Sequence, residues 1–562
     1  MELRLLLAFV LMGVVLFVTP YFYKNVTPAK KNVPAAAKTD APPQAPGASA
    51  AVPPAAPTEA AETSTETAST VPAVAAQQEE SATIDTGVFR ITFSNRGAVV
   101  KSWLLKKYAA NSGNPLELVN TSAKADRPFA LYFPGQKPAV DLNQALYRAA
   151  TDPDGLGIRF DYANGGVVAH KSLRFQQSSY LVDVSTEVTA GGKPIPHRIE
   201  WRGGFGDLAV ANPSGAQQTL RFDVSDSKLV KTGAKAAKDG PVTVTGNYSF
   251  AGIEDQYFVA VFLPEHAATV EMTTFSDNTP TPLETKELPY AGTAVSDGPV
   301  NQFALYVGPK DYDILRSVNP KLEQVIDFGW LSFLAKPLFL IVNWATDHAI
   351  HNYGWSIIVV TVALNFVLFP LKLTSMKSMK KMQALQPQIA AINDKYKNIG
   401  LRDPRKAEQN QEVMGLYKKH GVNPMGGCVP MLLQIPFFIA FYKVFSVSVE
   451  MRGAHWLWVT DLSQPEHLAI HILPIIMIVS QFAMQKMTPT TTGGDPNQQR
   501  MMQFMPLIFG FMFYNLSSGL VLYYLTSNLV GVVQQLFFNK TSIAAVAAQS
   551  VQPPKKKKNG RK

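Results

Sequence analysis

The stretch GWSIIVVTVALNFVLFPLKL, residues 354–373, carries a single charged side chain, Lys372. At a rise of about 1.5 Å per residue, a helical run of this length matches the hydrocarbon core of a bilayer, about 30 Å thick. Its polar residues are not scattered. Thr361, Asn365 and Lys372 are spaced by four and seven, which places them on one side of a helix. The run reads as a membrane helix with one polar face.

Downstream, four more apolar windows follow at about 424–448, 467–486, 500–515 and 517–538. With the first they predict an α-helical bundle of five core transmembrane helices within a domain spanning 351–540. Gln434 interrupts the second window, and Gln481 with Gln485 forms an i, i+4 pair. Tyr524, Asn528 and Gln535 fall within about 40° of one another at about 100° per residue. A polar side chain in hydrocarbon needs a partner, and such bonds return only about 0.6–2 kcal/mol each. Polar faces on several spans point to a water-accessible cavity lined by Thr361, Asn365, Lys372, Gln434, Asn528 and Gln535.

Between the first two spans, segment 374–421 belongs to a strongly basic stretch. From Lys372 to Lys419, eleven Lys and Arg residues stand against Asp394, Asp403, Glu408 and Glu412. That excess places the loop in the cytoplasm. Met376, Met379, Met382, Leu385, Ile389, Ile392 and Tyr396 step by three or four, and Val413, Leu416 and Tyr417 make a second stripe beyond Gly400–Pro404. Asp403 and Pro404 suit the N-cap and first residue of the second helix, so a helical hairpin is expected. Its methionines suit either a surface that adapts to varied apolar partners or a zipper between the two helices.

Upstream of the first span, residues 327–350 read as an amphipathic helix. Trp330, Phe333, Leu334, Leu338, Ile341 and Ala345 form its stripe, while Lys336 and Pro337 interrupt it, as in a helix lying in the membrane interface. Residues 83–315 differ again. Phe89, Ile91 and Phe93 alternate with Arg90, Thr92 and Ser94, and Tyr180, Val182, Val184 and Val188 repeat the pattern. Period-two alternation over many short runs predicts an all-β antiparallel sandwich. Residues 26–82, rich in Ala, Pro, Thr and Glu, read as a disordered tether. Residues 1–25 hold an apolar run without a small-x-small cleavage site, read as an uncleaved signal-anchor helix. Six spans then put both termini and the basic tail, 541–562, in the cytoplasm and the β domain outside. This is a multi-domain membrane protein.

The net charge of +10 gathers in the hairpin and the tail, so it argues for surface contacts rather than a DNA partner. The one cysteine, Cys428, excludes an internal disulfide and reads as core packing. Glu254 and Asp255 are neighbours, so on a strand they face opposite ways and make a poor acid/base pair. His170, His197 and His266 are dispersed, and His467 with His471 lacks a third ligand. No metal, no cofactor and no enzymatic activity is expected. A solute transporter or channel is the alternative, weakened by the lack of an internal repeat and of a carboxylate in mid-span. An enzyme in the outer domain is a third reading, with no residue cluster to support it.

Several motifs resemble the YidC membrane-protein insertase family: Asn423-Pro424-Met425-Gly426-Gly427-Cys428, Leu433-Gln434-Ile435-Pro436-Phe437-Phe438, Gln485-Lys486-Met487-Thr488-Pro489, Gly519-Leu520-Val521-Leu522-Tyr523-Tyr524 and Ser527-Asn528-Leu529. Upstream, Asp255-Gln256-Tyr257-Phe258 and Gly308-Pro309-Lys310 resemble the periplasmic domain of Gram-negative members. The resemblance implies a hydrophilic groove open to cytoplasm and lipid that inserts nascent membrane proteins, alone or with the Sec translocon. It implies client contact at Phe438 and Tyr524. It also implies that the hairpin receives clients and that the basic tail helps contact ribosomes. Lys377, Lys380 and Lys381, with Lys555, Lys556, Lys557, Lys558, Arg561 and Lys562, are the candidate contacts to ribosome or anionic lipid. One departure stands out. The family usually carries a basic residue in the groove where this chain has Asn365, so the groove is expected to be polar there and less selective for acidic clients, with Lys372 as a partial substitute.

Overall fold

A computed structural model describes residues 73–110, 113–210, 212–264, 269–283, 285–396, 403–422, 429–487 and 496–550. The expected anchor, most of the tether, His266, Cys428 and the basic residues at 555–562 lie outside these segments.

From Ser81 to Pro309 the chain builds antiparallel sheets of four, ten and five strands. The expected alternation is visible strand by strand. Strand Phe89–Ser94 buries Phe89, Ile91 and Phe93 and exposes Arg90. Strand Leu181–Ala190 buries Val182, Val184 and Val188, and pairs with Val300–Pro309 so that Val182 lies opposite Leu305. One apolar cluster runs through all three sheets. Trp103 anchors it, edge-on to Phe89 at 5.3 Å and tilted against Trp201 at 5.8 Å.

Regular structure is already present ahead of residue 83. Val74 exchanges backbone bonds of 2.8 Å with Ala163, and Ser81–Asp85 is already a strand paired with Phe89–Ser94. Pairing at a sheet edge uses backbone groups, so a segment poor in large apolar residues can still join it. The adjacent acids also depart from expectation. The strand ends at Glu254, alternation stops there, and both Glu254 and Asp255 line one cleft.

A helix at Tyr312–Val318, capped by Asp311, leads out of the β domain. Helix α1 (Ser332–Ala345) follows, apolar on two sides. Ala335, Leu338, Phe339, Val342 and Ala345 pack on the protein, while Trp330, Phe333, Ile341 and Trp344 are exposed. The single expected stripe is therefore divided between the two faces. A π-helical turn, Thr346–Ile350, and His351 in the left-handed region at φ 55° then make the corner. Helix α2 (Tyr353–Val367) leaves at 117° to the segment before it.

The apolar run 354–373 is not one helix. It breaks at Leu368, and Pro370 sits in the first turn of α3 (Phe369–Ala384), where its missing N–H costs nothing. Helices α4 (Gln386–Lys395) and α5 (Arg405–Lys419) complete the hairpin. Met382, Leu385 and Ile389 pack with Tyr417 and Val422, so Met382 acts as zipper, while Met376 and Met379 are half-buried. Asp403 accepts from the Arg405 N–H at 3.0 Å, the bond expected of an N-cap to the second residue of its helix, although the helix itself starts one residue later, at Arg405.

Four helices follow: α6 (Val429–Val447), α7 (Ile472–Met487), α8 (Pro496–Phe513) and α9 (Ser518–Ser550). Among the described residues, Ser518–Lys540 is one helix long and apolar enough to cross a bilayer, with a mean hydropathy of 1.3 over 23 residues. Helix α1 with its turn and α2 pass the same test only as a bent pair, and Gln434–Val447, Ile472–Met487 and Phe504–Phe513 are shorter apolar helices.

Candidate functional site

Helices α2, α6 and α9 bring a row of polar side chains together. Asn365 on α2 is buried, and its Nδ2 donates to the Thr361 carbonyl at 2.8 Å. Its Oδ1 accepts from Lys372 Nζ at 2.6 Å. Across the helix interface, Ser527 Oγ lies 3.5 Å from the Asn365 amide, and Gln534 Nε2 donates to the Asn365 carbonyl at 3.3 Å. Gln434 on α6 donates to the Tyr523 hydroxyl at 2.8 Å and reaches Ser527 at 3.5 Å. Thr361 Oγ1 is buried without a hydrogen-bond partner among the described residues.

Thr361, Asn365, Lys372 and Gln434 thus converge on one seam. Asn528 and Gln535 do not join it. Asn528 Nδ2 turns toward Ser480 on α7 at 3.2 Å, and Gln535 toward Asn539 at 3.2 Å. Neighbouring positions on a helix differ by about 100°, so the face that holds Asn528 cannot also hold Ser527. The seam row on α9 is Tyr523, Ser527 and Gln534, spaced by four and seven. That spacing is as regular as the one starting from Tyr524 and is a signal of the same kind.

Phe438 and Tyr524 belong to a half-buried aromatic group beside the seam, with Phe513 4.9 Å from Tyr524 and 5.6 Å from Phe438. On the hairpin, Lys377 and Lys381 are exposed, whereas Lys380 lies over the Phe538 ring at 5.0 Å. In the β domain, Glu254 is held between Lys231 and Lys310, each at 2.7 Å. His197 is buried between Thr186 and the Ile195 carbonyl. No group of three potential metal ligands occurs among the described residues.

An all-β domain joined to apolar helices that enclose polar side chains defines a class: membrane proteins with a large extramembrane domain. Residues 81–341 match the YidC periplasmic domain family, and residues 345–545 match the family described as 60Kd inner membrane protein. Curated relatives agree. The membrane protein insertase YidC of Syntrophus aciditrophicus is 33% identical over 84% of this chain and 87% of its own length. That of Geotalea daltonii is 34% identical over 84% and 89%. A crystal structure of an active YidC insertase with its first transmembrane domain resolved aligns with a TM-score of 0.35 at 19% identity, covering 83% of this chain and 94% of that one. The chain belongs to the YidC family of membrane protein insertases, inner-membrane proteins with a periplasmic domain.

Proposed function

We propose that this chain inserts newly made membrane proteins by letting their polar segments exchange bonds with the seam of Asn365, Gln434 and Ser527 while their apolar segments enter the lipid. The observation that carries this reading is the character of the seam bonds. Between helices, Ser527 meets the side chains of Asn365 and Gln434 at 3.5 Å each and Gln534 reaches the Asn365 backbone carbonyl at 3.3 Å, the weak end of hydrogen-bond geometry, while Gln434 and Tyr523 share a shorter bond of 2.8 Å. An incoming polar group replaces the longer bonds at little cost. The client's own hydrophobic transfer, at about 25 cal/mol per Å² of apolar surface, supplies the driving force. No nucleotide, metal or covalent step is required, so the activity is not enzymatic.

In this reading α2, α6, α7, α8 and α9 make five crossings, and the N-terminal anchor makes a sixth. Both termini and the hairpin face the cytoplasm, and the β domain faces the periplasm. Lys377, Lys381 and the basic tail contact the ribosome or anionic lipid, and the Sec translocon is a partner for larger clients. Phe438 and Tyr524 form the apolar wall that a client helix slides along. The positive charge that the resemblance implies at the position of Asn365 is delivered here by Lys372, whose ammonium bonds Asn365 directly.

The test is reconstitution in liposomes. Purified protein integrates a small, two-span coat-type client, and an Asn365→Leu/Gln434→Leu variant does not. Solute flux without client, with no client integrated, supports a transporter instead.

A further inference from the structure

The two motifs that resemble the periplasmic domain, Asp255–Phe258 and Gly308–Lys310, meet at the junction with the helices. Lys310 N–H donates to the Tyr257 carbonyl at 2.7 Å, and Lys310 Nζ to the Asp255 carbonyl at 2.5 Å. Asp255 accepts from the Asp207 N–H at 2.5 Å. Asp207 in turn binds Arg452 at 2.5 Å, with both side chains almost fully buried. Arg452 also donates to the Ala109 carbonyl at 2.6 Å and lies over the Phe258 ring. Gln256 donates to the Ser446 carbonyl in the last turn of α6 at 3.0 Å.

Arg452 lies in the loop that joins α6 to α7, and this loop holds more than α6. Asn352, the N-cap of α2, donates to the His455 carbonyl at 2.9 Å. A Cβ at Gly354 would sit 2.2 Å from Trp456, so glycine permits the close approach there. The N–H groups of Ser518 and Gly519, which begin α9, donate to the Gln464 and Leu462 carbonyls at 2.8 Å each. All three seam helices are therefore tied, at one end, to a single loop, and the β domain grips that loop through a buried ion pair.

We propose that Arg452 and Asp207 are positioning residues for insertion. Through them the β domain fixes the 448–466 loop, so that α2, α6 and α9 stay closed at this end and part only toward the hairpin. The inference rests on the seam reading above. Removing one partner of a buried pair leaves the other charge without compensation, which loosens docking by orders of magnitude.

The test uses full-length protein in liposomes carrying Asp207→Asn or Arg452→Gln, with Arg452→Lys as the milder change that keeps the charge but not the two-pronged contact. Expected are faster hydrogen exchange across 448–466 and the first turns of α2 and α9, insertion slowed roughly tenfold, increased ion leak, and an intermediate phenotype for Arg452→Lys. Unchanged exchange in that loop, or loosened exchange with insertion at the unmodified rate, overturns the proposal. An Asn365→Leu control run alongside separates the two readings. If that control inserts normally, the seam reading fails, and the clamp is judged by exchange and leak alone.

Discussion

Lys171 in the β domain and Asn365 in the helical core are both buried polar side chains, yet they meet the elements packed against them differently. Lys171 Nζ donates to the carbonyls of Gly97, Ala98 and Phe129 at 2.7, 3.3 and 2.7 Å. Those acceptors belong to backbone fixed by sheets and turns, so the bonds cannot be traded for others. The Asn365 side chain is anchored within its own helix by the Thr361 carbonyl at 2.8 Å, but toward the neighbouring helix it meets only a hydroxyl, at 3.5 Å. One arrangement holds a position, and the other admits a substitute. Similar burial therefore says little about role until the acceptors are identified.

The most forceful way to break this contrast is Lys171→Met. It strips three buried carbonyls of their donor, and at about 1–3 kcal/mol for each unsatisfied group the β domain should lose at least about 3 kcal/mol. Thermal unfolding followed by near-ultraviolet circular dichroism should show a midpoint several degrees lower, with insertion intact well below it. In the seam the balance reverses. Asn365→Leu and Gln434→Leu should each change stability by less than about 2 kcal/mol while reducing client integration about tenfold, a change equivalent to about 1.4 kcal/mol. A melting loss as large as that of Lys171→Met would make the seam mere helix packing.

A third test sharpens the β side through pH. Glu200 is buried and lies 4.0 Å from Arg202, and burial pushes its carboxyl up to about 8. The folded state then holds a proton that the unfolded state releases near the ordinary carboxylate range. Stability should therefore fall as pH rises from about 4.5 to 8. Glu200→Gln should flatten that slope, measured as the difference between unfolding midpoints at the two ends of the window. The smallest effect concerns selectivity. If Lys372 carries the seam's charge, Lys372→Gln should slow clients with acidic tails by about fivefold relative to neutral ones, the equivalent of about 1 kcal/mol. Equal slowing of both client types would place the charge elsewhere.

The two regions were also unequally legible in the sequence. Alternation such as Phe89-Arg90-Ile91 announces a strand because period two has one physical meaning, a half-buried sheet. Apolar runs announced the helices equally well but not their ends. Pro370 is compatible with a first helical turn, so the break at Leu368 was hidden within a run of uniform hydropathy. Half of the seam could be read from Thr361, Asn365, Lys372 and Gln434, polar residues in apolar company. The facing row on α9 was missed because a wheel begun at Tyr524 selects the Asn528 side, about 100° from Ser527. Nothing local marks Arg452 and Asp207 as partners. They lie 245 residues apart and meet only when the domains dock.

Photo-crosslinking on stalled nascent chains addresses the central claim most directly, with probes at residue 365, in the seam, and at residue 366, whose side chain is 64% exposed on the outer face. Adducts with polar client segments are expected from position 365 and lipid adducts from 366. Client adducts from 366 with none from 365 would contradict it.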